Sequence, residues 1–251
     1  MKKDVLQKST ILVLFFCLSF SLFANNNETS NTEQYSDERL KEDLRSLAYY
    51  NEKETNIEKL NLRNALIRFQ ADNNLRVDGV CGPITIETIL KRLNSKDFQY
   101  SDEIKNPATK DKWIVLNLSK RILTLYQECK VLKKYPIAIG AHGSPTPEGK
   151  FSVVDKLINP WWGGGGYAKP IAGGKKNNPL GYRWIGLSYG GGYRYGIHGN
   201  SSPYSIGKNI SHGCVRMING DVEELFSLIE KDVPVWIGKD DTLMNWGIKQ
   251  E

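Results

Sequence analysis

Side chains suited to acyl transfer crowd into residues 195–217, YGIHGNSSPYSIGKNISHGCVRM, which bring together His198, Ser211, His212 and Cys214. The whole chain has 3 histidines and 4 cysteines, so two imidazoles and a thiol in one short stretch are a concentrated resource. A cysteine attacks a carbonyl as thiolate and needs a base or a positive field to reach that state. Gly199, Gly207 and Gly213 bracket the set and let backbone come close to a bound carbonyl. Tyr195, Ile197 and the run Val215 to Met217 have strand character. His198 is therefore predicted to end one strand and Cys214 to open the next, which would hold base and nucleophile on rigid supports.

The segment SHGCVR, with His198-Gly199 upstream and twelve residues between His198 and Ser211, resembles the signature of the bacterial L,D-transpeptidase catalytic domain. The similarity runs over about residues 111–237 and takes in TPEGKF at 146–151, Asn159-Pro160 and NPLG at 178–181. It implies an enzyme that cuts the peptidoglycan stem peptide after the L-centre of its third residue. D-alanine is released and the acyl group passes to an amine. The resemblance also implies carbapenem-type inhibitors acting on the cysteine.

Within that frame, Cys214 is the expected nucleophile and His198 the base that takes its proton and later returns one to the leaving amine. No acidic residue lies in the stretch, so a backbone carbonyl at or near Gly199 is expected to orient His198 in place of a carboxylate. Backbone N–H groups at Gly213 and Cys214 would form the oxyanion hole, where losing one donor costs about 3 kcal/mol. His212 is the competing base. On an extended strand it shares a face with Cys214, but it is assigned instead to the pocket wall and substrate binding. Ser211, Arg216, Tyr182 and Asn200 are the other substrate-binding candidates. Arg216 suits a carboxylate held bidentately, with a structural salt bridge as its alternative use. The Ser211 hydroxyl also suits holding the turn. His142 is placed on a loop rim with no catalytic role. A zinc reading through His198, His212 and Cys214 has no second cysteine pair or HExxH behind it, so neither metal nor cofactor is expected.

The remaining choice is the acyl acceptor. A stem-peptide amine gives a crosslink, a lysine of a wall-attached protein gives protein attachment, and water gives an L,D-carboxypeptidase. A non-catalytic wall-binding protein is the alternative outside enzymes, but it leaves SHGC without a purpose. The net charge of +6 comes without a lysine/arginine block, so nucleic acid is not an expected partner. Lys2, Lys3 and Lys8, an apolar centre at Ile11 to Phe16 and a boundary at Ala24 read as an export signal over residues 1–24. Its cleavage would place the protein in the cell envelope, in the periplasm; a retained anchor is the alternative.

Polar residues 25–35 read as a linker. Residues 36–96 read as a small three-helix domain: Ser36 or Asp37 caps a stripe of Leu40, Leu44 and Leu47. Leu62, Ala65, Leu66 and Phe69 form a second stripe, and Ile86, Ile89, Leu90 and Leu93 a third. FQADNNLRVDGVCGPIT, residues 69–85, resembles the peptidoglycan-binding domain. Residues 97–110 are predicted to be a second linker, 111–240 the catalytic domain and 241–251 a C-terminal tail. In the catalytic part, alternation of Ile114, Leu116 and Leu118 with Trp113, Val115 and Asn117 opens a series of short strands. The fold class expected is a mainly β, sandwich-like catalytic domain with a short helix, behind a small helical domain. Its sheet should be mostly antiparallel. Asp221 is predicted to cap the helix carrying Val222, Leu225, Phe226 and Ile229. The glycine-rich loop 161–183, with Trp161, Trp162 and Tyr167, is expected to border the groove. Cys81 and Cys129 are read as ordinary semi-buried thiols rather than a bridge.

Overall fold

The Ser36 hydroxyl accepts a hydrogen bond from the Arg39 N–H (3.2 Å) and so starts helix α1, Asp37–Ser46. Asp37 and Glu38 fill its first turn, where the helix dipole favours negative charge. The computed structural model describes residues 35–95 and 97–251; the predicted export signal and residues 25–34 of the first linker lie outside them. Helices α2 (Glu58–Asp72) and α3 (Pro83–Leu93) follow. Pro83 occupies the start of α3, where its missing N–H leaves no bond unmade.

Helix α2 departs from the one-sided stripe. Leu60, Asn61, Asn64, Ala65, Leu66, Ile67, Phe69, Gln70 and Ala71 are all buried, the pattern of a helix covered on several sides. Ile67, Ala71 and Val77 share an apolar cluster with Ile122, Ala138, Ile206 and Ile218 of the β-rich part. The helical segment is therefore not a separate domain with its own small core. Residues Ser36–Glu251 form one compact unit.

The expected second linker and C-terminal tail are also structured. Strand β1 (Glu103–Ile104) lies in the former. Then come β2 (Lys112–Asn117), β3 (Ile122–Gln127), β4 (Lys130–Gly140), β5 (Gly149–Ile158), β6 (Arg183–Leu187), β7 (Gly196–His198), β8 (Asn209–Ser211) and β9 (Val215–Met217). Helix α4 (Asn219–Leu228), β10 (Pro234–Gly238), α5 (Asp240–Asn245) and β11 (Ile248–Lys249) complete the order, and β11 pairs antiparallel with β1. Composition misses these short pieces because polar residues beside them, Asp102 and Gln250, point into the protein. Asp102 and Lys134 form an ion pair at 2.7 Å with side chains 1% and 0% exposed. Asn74 and Thr124 add to Lys134, while Tyr126 and Gln250 add to Asp102. A buried charge pair survives only when its remaining hydrogen-bonding positions are filled in this way.

The main sheet runs β3-β2-β10-β5-β6-β7-β9-β4-β8, and β3 pairs with β4 as well, so the strands close on themselves. Ile114, Leu116, Leu123, Leu125, Ile185, Ile197, Val215 and Val235 fill the enclosed core. The other face of β2 is covered too, with Trp113 and Val115 packing against Leu243 and Ile248. The sheet is more mixed than expected: β2/β10, β4/β8 and β7/β9 are parallel pairs. Asp221 does not cap α4. It sits in the first turn, with Ile218 at the cap position, and its buried carboxylate meets Arg68 of α2 at 2.7 Å. Arg68 simultaneously holds Glu54 at 2.8 Å.

Candidate active site

Parallel pairing of β7 with β9 sets Ile197 opposite Val215 and His198 opposite Arg216. Cys214 immediately precedes β9, so thiol and imidazole project from neighbouring strand ends, as the spacing predicts. His198 is 4% exposed. Its Nδ1 lies 2.6 Å from the Gly199 carbonyl oxygen, which makes Nδ1 the protonated nitrogen and leaves Nε2 with a lone pair. The Trp184 ring, directly across the β6/β7 pair, stacks on the imidazole with centroids 5.7 Å apart. Burial drives the His198 pKa down to about 4, against the pull of the Gly199 carbonyl and with help from the Arg216 charge.

The Cys214 thiol is half-buried and free. It donates to the Arg194 carbonyl at 3.5 Å. Burial raises its pKa, while the Gly196 N–H and Arg216 pull it back. Resting thiol and imidazole are both neutral under these influences. Ser211, 2% exposed, uses its hydroxyl twice inside the turn: it accepts from the Gly213 N–H at 3.1 Å and donates to the Cys214 carbonyl at 2.5 Å. That arrangement gives the Ser211 hydroxyl the turn-holding use that its position in the sequence also suggests. It also occupies the Gly213 N–H, which the sequence reading gave to the oxyanion hole. Gly213 itself has φ +108°, and a Cβ there would meet the Tyr195 ring at 2.8 Å, so only glycine fits.

Asn200 is likewise engaged within the protein. It is 5% exposed, its amide donates to the Met217 carbonyl at 2.6 Å, and its side-chain oxygen accepts from the Ser202 N–H at 2.8 Å. Its partner Asn219, at the start of α4, is the residue that sequence reasoning missed. Asn219 accepts from the Asn200 N–H (2.9 Å) and donates to the Asn200 carbonyl (3.0 Å). A Cβ on Gly199 would meet the Asn219 side-chain oxygen at 2.2 Å. The peptide whose carbonyl orients His198 is thus clamped from α4, two residues before Asp221.

His212 is exposed, with its ring 5.8 Å from that of Tyr167 in the glycine-rich loop. The loop thereby borders the site, as expected. Asn178 anchors it, donating to the Pro160 and Ala172 carbonyls at 2.8 and 3.2 Å. Arg216 is half-buried and forms no ion pair among the described residues, so its structural alternative is not realised. Tyr182 is half-buried, and its carbonyl accepts from the Asn159 N–H at 2.9 Å. His142 lies exposed in the loop after β4. Cys81 and Cys129 are free, Cys129 exposed rather than semi-buried. Among the described residues, no group of three or more histidine, cysteine and acidic side chains is arranged to hold a metal ion. Nor is any described helix long and apolar enough to cross a membrane.

Residues 37–89 match the model of a putative peptidoglycan binding domain. The putative L,D-transpeptidase YqjB of Bacillus subtilis is 40% identical over 139 residues, spanning 55% of this chain and 77% of that protein. The putative L,D-transpeptidase YkuD of the same species is 36% identical over 136 residues, 54% of this chain and 71% of its own. An L,D-transpeptidase structure from Xylanimonas cellulosilytica superposes with a TM-score of 0.54 at 21% identity, covering 79% of this chain and 91% of that one. Residues 111–237, half of the sequence, match the model of the L,D-transpeptidase catalytic domain, and the chain belongs to that family.

Proposed function

We propose that the protein is a peptidoglycan L,D-transpeptidase of the cell envelope that works through a Cys214 thioester. The observation that carries this reading is the His198 imidazole, fixed by the Gly199 carbonyl at Nδ1 and presenting a free Nε2 beside the strand end that bears Cys214. Nε2 takes the thiol proton as sulfur bonds to the carbonyl carbon of the L-centre of stem residue 3. With the Gly213 N–H engaged by Ser211, the Cys214 N–H is the donor left in the turn for the developing oxyanion. Collapse of the adduct expels D-alanine, whose amine takes the proton from the imidazolium. An acceptor amine then attacks the thioester, gives its proton to His198, and releases the thiolate, which recovers that proton. Arg216, with no acidic partner among the described residues, is assigned to a stem carboxylate. His212 and Tyr167 form the exposed rim, and Tyr182 is retained as a weaker groove contact.

The test is incubation with tetrapeptide-stem muropeptides followed by mass analysis. Linked dimers with loss of one alanine are expected from the wild type, and none from Cys214→Ser. A lysine-bearing wall protein as acceptor would give an adduct instead of a dimer. Tripeptide products alone, with every amine acceptor ignored, would replace the transferase reading by an L,D-carboxypeptidase. A carbapenem should add one adduct to the wild type, Cys81→Ser and Cys129→Ser and none to Cys214→Ser. An adduct surviving on Cys214→Ser moves the nucleophile elsewhere.

A further inference from the structure

Arg121 sits at the turn between β2 and β3 with φ +60° and is only 5% exposed. Its Nε donates to the Val77 carbonyl at 2.8 Å and its Nη1 to the Asn209 side-chain oxygen at 3.3 Å. Both acceptors are neutral. The remaining nitrogen, Nη2, has no protein partner among the described residues, yet it is absent from the sealed, unsatisfied atoms. Arg121 lines a cavity of about 570 Å³, together with Arg76, His142, Glu148, Asn209 and Lys239. A cavity of that size suits a small ligand.

The charges in this cavity do not balance. Arg76 and Arg121 form no ion pair among the described residues, and Arg76 acts on Arg121 as a like charge. Asp78 offsets part of this, but its Oδ1 already accepts from Gln70 and from the Val80 N–H, both at 2.9 Å. Glu148 is held by Lys239 at 3.5 Å and by the Thr242 hydroxyl at 2.7 Å. Two arginines thus line one cavity without an ion-pair partner among the described residues, one of them buried. A buried charge in that position is costly until an anion meets it, and a planar guanidinium matches a carboxylate through paired hydrogen bonds.

We propose that this cavity is a second binding site, for a carboxylate of a peptidoglycan stem peptide; the choice of ligand rests on the functional reading above. The site is shared between the helical segment, through Arg76, and the β-rich part, through Arg121. Wall recognition then belongs to the junction and not to the helices alone. The cavity is joined to the proposed nucleophile's turn through one loop. The loop after β4 lines it, and the Ala141 N–H and Ser144 hydroxyl of that loop both donate to the Ser211 carbonyl, at 2.8 and 3.1 Å.

Arg76 is exposed, so Arg76→Glu tests the site without touching the strut that Arg121 forms. A synthetic tetrapeptide stem is titrated calorimetrically into the full chain carrying Cys214→Ser, with and without Arg76→Glu. Loss of the charge and its reversal should weaken binding at least about fivefold, and a peptide with its carboxylates amidated should bind the two proteins alike. Equal affinity of the unmodified peptide for the two proteins overturns the proposal, as does an Arg76 dependence that survives amidation. Inorganic phosphate bound in an Arg76-dependent way, with the peptide not bound, also overturns it. Carbapenem acylation of Arg76→Glu on the wild-type background should run at the normal rate; a slowed rate would trace the effect to a disturbed fold and overturn the assignment. Binding is read on a protein without its thiol, so Arg76-dependent affinity without turnover leaves the site standing and removes the enzymatic reading. Turnover without that affinity does the reverse.

Discussion

Burial works on His198 and Cys214 in opposite directions on the pH scale, lowering the imidazole to about 4 and raising the thiol. An ion pair at rest is disfavoured from both sides, so the proposed proton transfer belongs to the attack itself. The same burial couples His198 to stability. Unfolded, the imidazole titrates near 6.5; folded, it titrates at about 4. Between these values the unfolded chain binds more protons at this position, so stability declines as pH falls through the window, by up to about 3 kcal/mol. Urea unfolding at pH 7 and pH 4.5 should show the decline, and His198→Gln should lack this component; an unchanged slope in the variant would place the protons elsewhere. The candidate pair Cys214 and His198, at neighbouring strand ends, was legible in sequence because thiols and imidazoles are scarce and here fall together. Asn219 and Trp184 were not. Asparagine and tryptophan serve many ordinary structural ends, and only the strand pairing and the start of α4 reveal what these two touch.

At the scale of elements, α4 links the helical segment to the peptide whose carbonyl meets His198. Arg68 of α2 grips Asp221 in the first turn of α4, and Asn219, at the head of that turn, clamps Asn200 beside Gly199. Asn219→Ala leaves the Asn200 N–H and carbonyl without their partner, which should cost about 1–3 kcal/mol of stability. If the clamp positions His198, the variant should also acylate Cys214 more slowly at saturating carbapenem, with a shifted pH profile and little change in apparent affinity. An unaltered pH profile and rate in the folded variant would reduce Asn219 to a structural role. Arg68→Met strands the buried Asp221 carboxylate, whose pKa burial already raises, and should cost about 3 kcal/mol. Arg68→Met with Asp221→Leu should recover much of that loss, measurable as a partial return of Tm. The capping role expected for Asp221 failed for a plain reason. A carboxylate near a helix start serves equally as cap or as ion-pair partner, and its partner lies 153 residues away.

For the whole molecule, the sequence divides where family resemblances and polar composition change, but the structure does not. Residues 97–110 read as a linker because composition cannot separate a solvated polar run from one feeding a buried network. Asp102 is 1% exposed at the side chain, Tyr100 reaches Asp72, and β1 completes a small sheet with β11. Read as separate domains, the helices could be deleted with little effect on turnover of soluble substrate. The structure reverses that expectation. Removing residues 36–96 would uncover Ile122, Ala138, Ile206 and Ile218, now packed against Ile67, Ala71 and Val77, at about 1.5–3 kcal/mol for each large side chain exposed. Arg121 Nε and the Lys120 carbonyl would lose the Val77 backbone, Lys134 would lose Asn74, and Asp221 would be left without Arg68. Together these approach the whole stability of an ordinary domain, about 5–15 kcal/mol. The fragment 97–251 should therefore aggregate, or lose near-ultraviolet circular dichroism and cooperative melting, and its Cys214 should no longer be acylated at a normal rate. A soluble fragment that melts cooperatively and turns over muropeptides like the full chain would show that the interface is dispensable and restore the two-domain reading.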